Sequence, residues 1–121
     1  MSYGKDVQRE LRVPARELRQ AIPGVYQGFA HLHEEALAAG ALGAKAKELI
    51  ALAIAVSKGC DGCIASHARG AAKAGATMEE AAEALGVVVL MDGGTATVHG
   101  PRAYAAFREY YDELNPAASA A

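Results

Sequence analysis

Residues 44–67 read AKAKELIALAIAVSKGCDGCIASH, and they are the strongest indication of the fold class. It starts with polar residues, and then no polar residue interrupts the run from Leu49 to Val56. A buried strand is the competing interpretation of so short an apolar run, but the interspersed alanines favour a helix. A helix that is apolar on all sides is typical of a buried element. The pattern therefore predicts a central helix over about residues 44–57, which a second subunit could help to cover.

Glycine and proline residues divide the rest of the chain into five further predicted helices. They are expected over about residues 14–21, 25–39, 60–74, 78–92 and 95–114, the last with a kink near Pro101. Pro14 is placed early in its helix, and Thr77 and Glu80 fit a capping box. With no convincing alternating β pattern, the sequence predicts an all-α fold of about six helices. One domain is expected over residues 1–121, with a core over about 20–112 and a disordered tail over 115–121.

Composition excludes several classes of protein. The 121 residues carry 12 Lys+Arg against 14 Asp+Glu, a formal net charge of −2, which argues against a dedicated nucleic-acid binder. The longest apolar run is far shorter than the roughly 20 residues of a membrane-spanning helix. The N-terminal residues are too polar for a secretory signal. We therefore expect a soluble cytoplasmic protein with no nucleic-acid or membrane partner.

Alanine occupies 29 positions, and tryptophan is absent. Alanine is the best helix former, and its small side chain lets helices approach closely. Each alanine buries little area, so an isolated subunit of this length would have a thin core. The composition therefore predicts a homo-oligomer.

The chemistry-bearing motif is Cys60-Asp61-Gly62-Cys63, followed by His67. On a helix, Cys60, Cys63 and His67 share one narrow face, and Cys63 and His67 are an i, i+4 pair. An imidazole there can take the proton of Cys63 or stabilise its thiolate. Cys60 would lie at the helix N-terminus, where N–H groups also stabilise a thiolate. In a chain without a secretory signal, a CxxC pair of this kind favours redox cycling between dithiol and disulfide.

Other interpretations of these residues stay open. The two cysteines could be packing residues, or they could bind a structural zinc with His67 as a third ligand. A structural zinc site needs four ligands, and the sequence has neither a second CxxC nor an HxxxH motif. Glu48, the last charge before the apolar run, could be a proton-transfer group. The pattern alone favours the simpler interpretation that Glu48 faces solvent in the first helical turn.

The chain resembles the alkylhydroperoxidase D-like branch of the carboxymuconolactone decarboxylase superfamily. The spacing that carries the resemblance is Glu48, eleven residues, Cys60, two residues, Cys63, three residues, His67. It covers about residues 20–112, and the matching segments are 47–52, 60–63, 67, 74–77, 80–85 and 91–94.

The resemblance implies an all-helical subunit that forms a trimer or hexamer, with a peroxidase or disulfide-reductase cycle. It implies that Cys63 attacks the peroxide and that Cys60 resolves the sulfenic acid to a disulfide. His67 and Glu48 would relay the proton, which reverses the simpler interpretation of Glu48. The implied partners are a hydroperoxide or disulfide substrate and an external dithiol of lipoyl or thioredoxin type. No cofactor or metal is expected.

One position departs from the pattern. Alkylhydroperoxidase D has a second histidine between the cysteines, where this chain has Gly62. The chain is also close in size to the decarboxylase, which lacks the CxxC pair. The alternatives to a thiol peroxidase are therefore a redox or zinc-binding sensor module and a decarboxylase-like lyase acting on a small lactone.

The remaining histidines and the C-terminal aromatic residues receive simpler interpretations. His31 and His33 point to different faces of one helix and are expected to be surface or interface residues. The residues around His99 in the sequence do not indicate what surrounds its side chain. The aromatic residues of the last helix repeat at helical spacing and are expected to form core or subunit contacts; they are Tyr104, Phe107, Tyr110 and Tyr111.

Overall fold

The structure, a computed structural model, describes residues 2–117 and contains six α-helices within them. They are α1 (Lys5–Ala21), α2 (Pro23–Leu37), α3 (Ala44–Lys58), α4 (Asp61–Lys73), α5 (Met78–Asp92) and α6 (Gly94–Leu114). No strand occurs in this part of the chain, so the predicted all-α class is confirmed. None of the six helices is long and apolar enough to cross a membrane.

The core lies where α3, α4, α5 and α6 meet. Its largest fully buried side chains are Phe107, Leu52, Ile64 and Val56, and most of its other members are alanines. Phe107 and Tyr110 are buried, with Tyr104 and Tyr111 packed against them, as predicted for the aromatic residues of α6. Small side chains bring the helix backbones close together, which is what positions α4 against its neighbours.

Helix α3 buries only one side of its apolar run. Leu52, Ala55 and Val56 are buried, whereas Ile50 and Ile54 remain 47% and 50% exposed. Within the single chain, the predicted burial of the run therefore holds for one face, and the other face is the part for which the prediction allowed a second subunit. The reason is the helical repeat, which places residues four apart on one face, and the face of Ile50 and Ile54 stays half exposed among the helices of residues 2–117.

The first helix is longer than predicted. It begins at Lys5 rather than near residue 14, so Pro14 lies in its interior. Contacts with α6 hold its N-terminus: the backbone N–H groups of Gly4 and Lys5 donate to Glu109 at 2.9 and 3.1 Å. Tyr110 also donates a hydrogen bond of 2.7 Å to Gln8. These long-range contacts compensate for the intrahelical hydrogen bond that Pro14 removes. The pattern of neighbouring residues cannot reveal them, because their partners lie on α6.

Pro23 begins α2 rather than only ending α1, because a proline at the first helical position loses no intrahelical bond. At the other end of the chain, Asn115 donates hydrogen bonds from its backbone N–H and its side-chain amide to the Tyr111 carbonyl. Residues 118–121 of that predicted tail lie outside the described residues.

The predicted capping box of α5 is confirmed. Thr77 accepts a hydrogen bond from the Glu80 N–H at 3.1 Å, and Glu80 accepts one from the Thr77 N–H at 2.9 Å. Hydrogen bonds from Lys45 and from the Thr77 N–H lower the pKa of Glu80. A lowered pKa means that this stabilisation is present at neutral pH and is lost as the pH falls through the lowered value.

We expect Thr77→Ala to lower the free energy of unfolding by about 1 kcal/mol, because it removes the cap of α5. Urea unfolding followed by circular dichroism measures the change. Thr97→Ala is the control, since the Thr97 hydroxyl donates only to a carbonyl one turn earlier in its own helix. Equal losses in the two variants would contradict a specific role of the capping box.

Candidate redox site

The two cysteines lie where α3 ends and α4 begins. Gly59 ends α3 in the left-handed conformation with φ 64°, and Cys60 is the N-cap residue of α4. Cys60 and Cys63 form a disulfide whose Cα atoms are 5.2 Å apart. The backbone N–H of Cys63 donates to Sγ of Cys60 at 3.2 Å. The sharp turn at Gly59 thus sets both sulfur atoms at the N-terminus of α4.

The two sulfur-bearing residues differ in their access to solvent. Cys63 is exposed, whereas Cys60 is half-buried. An external molecule therefore meets Cys63 first.

His67 lies one turn beyond Cys63 and is held by a carboxylate from the neighbouring helix. Its Nδ1 is 2.9 Å from Oε2 of Glu48 on α3. The two side chains are only 20% and 14% exposed. Glu48 therefore does not face solvent, and the interpretation favoured by the pattern alone is wrong. A bond to Nδ1 orients the ring and leaves Nε2 for a second partner.

Gly70 makes this pairing of α3 with α4 possible. A Cβ atom at Gly70 would overlap the Glu48 carboxylate. Gly70 follows His67 by three residues, so both lie on the face of α4 that meets Glu48. The missing side chain leaves the space through which the carboxylate reaches His67.

His33 belongs to the site although the sequence indicated only a surface or interface position. It is exposed on α2, and its ring stacks on that of His67, with centroids 5.8 Å apart and planes at 17°. Phe29 contacts His33 as well, with its ring centroid 6.3 Å from that of His33. No spacing within one helix could have found this contact, because it joins α2 to α4.

Gly62, between the cysteines, lies under the first helix. A Cβ atom at this position would be 3.2 Å from Cδ1 of Leu11 on α1. A histidine here would have to displace Leu11, so the glycine fits the close packing of α1 on α4.

Two further residues on α6 approach the CxxC turn. The His99 ring lies against Gly59, and Arg102 reaches Asp61 with 3.8 Å between Nη1 and Oδ1. Sequence patterns gave no signal for either contact. Within residues 2–117, no group of three or more His, Cys, Asp or Glu side chains is placed to hold a metal ion.

Comparison with known proteins supports the resemblance. Residues 23–109 match the model of the carboxymuconolactone decarboxylase family. An uncharacterized protein of Cupriavidus necator is 40% identical over 98 residues, which cover 81% of this chain and 83% of that protein. "Uncharacterized protein 4 in cox locus" of Paracoccus denitrificans is 37% identical over 93 residues, covering 77% of this chain and 84% of the relative.

A solved structure shows the same fold. The apo crystal structure of a carboxymuconolactone decarboxylase family protein from Legionella pneumophila is 37% identical, with a TM-score of 0.85. The similarity covers 88% of this chain and 96% of that one. The family match, the relatives and the shared fold lead to one conclusion: the chain belongs to the carboxymuconolactone decarboxylase family.

Proposed function

We propose that the protein is a thiol-dependent peroxidase or disulfide oxidoreductase of the alkylhydroperoxidase type. The observation that carries the proposal is the Cys60–Cys63 disulfide at the N-terminus of α4, with the Glu48–His67 pair one turn away. The decarboxylase after which the family is named lacks the CxxC pair.

The proposed cycle has three balanced steps. The Cys63 thiolate attacks a hydroperoxide and takes up one oxygen, giving a sulfenic acid and, with one proton, the alcohol. The Cys60 thiol then attacks the Cys63 sulfur, which forms the disulfide and releases water. An external dithiol returns the pair to two thiols and leaves as its own disulfide.

The supporting groups have distinct roles in this proposal. Cys63 is the nucleophile because it is the exposed residue of the pair, and Cys60 resolves from its half-buried position. His67 exchanges the proton with Cys63 or its substrate, and Glu48 fixes the orientation of the ring. This assignment follows exposure rather than the helix dipole, which would by itself favour the Cys60 thiolate.

We further propose that the protein works as a homo-oligomer, either a trimer or a hexamer, in the cytoplasm. Helix α2 has no buried residue in the single chain, and Phe29 and Leu32 on it are 61% and 63% exposed. Together with the exposed face of Ile50 and Ile54, these apolar side chains support burial against further subunits.

The experiment that tests the function is peroxide consumption by the purified protein. A lipoyl-type dithiol and dithiothreitol serve as reductants in parallel, and a small disulfide replaces the peroxide in a second series. Turnover with peroxide favours the peroxidase, and turnover only with the disulfide favours the reductase. If neither the peroxide nor the disulfide turns over, the result favours the sensor module. If a variant with both cysteines replaced still decarboxylates a small lactone, the result favours the lyase.

We expect His33→Ala to lower the turnover number about 2- to 10-fold, because stacked rings contribute about 0.5–1.5 kcal/mol to the position of His67. His33→Phe should restore most of the rate, since a flat ring can still stack on His67. His31→Ala, at an exposed histidine two residues away, is the control. A His33→Phe variant as slow as His33→Ala would contradict a role through stacking.

A further inference from the structure

An open cleft of about 570 Å³ lies beside the CxxC turn, between α1, α4 and α6. Its charged residues, together with the glycine between the two cysteines, are Lys5, Arg12, Arg19, Gly62, Arg69 and Glu113. Four of these side chains are cationic and one is acidic, although the whole chain has a formal net charge of −2. The cleft therefore concentrates positive charge in an acidic protein, and the cycle proposed above does not use it.

The acidic residue of the cleft does not neutralise its arginines. Glu113 forms an ion pair of 2.7 Å with Lys5. The hydrogen bond and the charge of Lys5 lower the pKa of Glu113, with a smaller contribution from Arg69, so this carboxylate is ionised at neutral pH. Within residues 2–117, no ion pair or hydrogen bond engages the guanidinium groups of Arg12, Arg19 or Arg69. These three groups are therefore free to bind an anion from outside the chain.

The cations of α1 are spaced along one face of the helix. Arg12 and Arg19 are seven residues apart, close to two helical turns, so they lie on the same face about 10.5 Å apart along the axis. Ala15 lies between them, and Leu11 lines the cleft beside Arg12, which gives the cleft an apolar stretch. This arrangement suits an extended ligand with an anionic group at each end and an apolar middle.

Helix α4 forms the wall that the cleft shares with the redox site. Gly62 and Arg69 are also seven residues apart, so both lie on the face of α4 that meets α1, where a Cβ atom at Gly62 would be 3.2 Å from Leu11. Gly62 is the residue between Cys60 and Cys63 and lies next to Cys63 in the chain. A ligand in this cleft would therefore lie beside the backbone segment that carries the two cysteines.

We propose that this cleft binds organic anions with a carboxylate at each end, and that it selects carboxylate-bearing disulfides as substrates of the cysteine pair. A guanidinium group binds a carboxylate through two parallel hydrogen bonds, a geometry that lysine does not offer. The assignment to a disulfide substrate rests on the disulfide oxidoreductase cycle proposed above, whereas the binding of the anion rests on the cleft alone.

The reaction with such a substrate is thiol–disulfide exchange. The Cys63 thiolate attacks one sulfur of the small disulfide, which forms a mixed disulfide and releases one thiolate. The Cys60 thiol loses its proton and attacks the Cys63 sulfur, which closes the protein disulfide and releases the second thiolate. Two electrons pass from the protein to the substrate, and the protons lost by the two cysteines end on the two released thiols.

The first test is calorimetric titration of the oxidised full-length protein with suberate, a straight-chain dicarboxylate that does not react with thiols. We expect saturable binding that weakens as the salt concentration rises. Arg12→Gln and Arg19→Gln should each weaken binding about three- to tenfold, because each removes a contact to a carboxylate. Arg16→Gln removes the same charge from α1 but outside the cleft, and it should change the affinity less than about twofold. The uncharged diol of the same chain length should not bind.

The second test compares the rates at which the reduced protein exchanges with three short symmetrical disulfides. They are the dianion dithiodipropionate, the neutral hydroxyethyl disulfide and the dication cystamine, and each rate is divided by that of the same disulfide with free dithiothreitol. We expect this normalised rate to fall from the dianion to the neutral disulfide to the dication. The ratio of the dianion to the neutral disulfide should drop about three- to tenfold in Arg12→Gln.

The two tests separate the site from its substrate. Absence of saturable suberate binding, or equal affinity in the parent, Arg12→Gln and Arg19→Gln, would overturn the inference. Normalised exchange rates that do not follow charge would overturn the assignment to a carboxylate-bearing disulfide. A parent that exchanges with none of the three disulfides would overturn the proposed reductase cycle, and the suberate titration, which needs no thiol chemistry, would still decide whether the cleft is an anion site.

Discussion

Cys63→Ser is expected to lower peroxide consumption by about a thousandfold or more, to the rate without protein. A serine hydroxyl stays protonated at neutral pH and cannot take up the peroxide oxygen as a sulfenic acid. The loss should appear in the first turnover as well as in the steady state. The folding equilibrium should change little, because Cys63 is exposed and the disulfide closes only a three-residue span.

Cys60→Ser is the matched variant that separates attack from resolution. It should still consume about one equivalent of peroxide in a rapid first turnover, and a sulfenic acid should then be trapped at Cys63 by dimedone. Steady-state turnover should fall because no partner thiol forms the disulfide. Steady-state turnover at the parent rate in Cys63→Ser would contradict Cys63 as the nucleophile. A first-turnover burst in Cys63→Ser but not in Cys60→Ser would instead make Cys60 the nucleophile and Cys63 the resolving cysteine.

Gly70→Ala is expected to lower the turnover rate by about 10- to 100-fold. This is part of the rate enhancement of about 100- to 10,000-fold that a positioned general acid–base group contributes. The added methyl group would occupy the space of the Glu48 carboxylate. The carboxylate is the end of a flexible side chain, so it should rotate away and lose its 2.9 Å contact with His67. The free energy of unfolding should change by no more than about 1 kcal/mol, because alanine also improves helix propensity.

Two controls make this prediction specific to Glu48. Gly86→Ala adds the same methyl group to α5, where a Cβ atom would meet nothing within 4 Å, and it should leave turnover unchanged. Glu48→Gln should slow the protein on its own, and adding Gly70→Ala to it should cause little further loss, because the two changes remove one interaction. Fully additive losses would show that Gly70 acts by a route other than the carboxylate.

The local part of the site was predictable because helical geometry is local. Residues three and four apart on one helix share a face whatever surrounds them, so Cys60, Cys63 and His67 could be placed together from their spacing. The capping box of Thr77 and Glu80 was predictable for the same reason. The ends of α3 and α5 followed from glycine positions that the structure confirms within one or two residues.

The long-range part was not predictable from the pattern. Glu48 is separated from His67 by 19 positions, and only the packing of α3 on α4 at Gly70 decides whether it faces solvent or the imidazole. The family resemblance anticipated its position, whereas helix periodicity favoured the wrong one. His33 and His99 come from α2 and α6, and neither spacing nor composition indicated them.

The helical class, most helix boundaries and the cysteine–histidine face of α4 could therefore be read from local sequence, since each depends on residues within a few positions of one another. The early start of α1, the exposed face of α3 and the groups that surround the cysteines became visible only in the folded chain. The physical reason is that these features depend on which helices pack together. In an alanine-rich core, that packing is set by small differences in side-chain volume, such as the space left at Gly70.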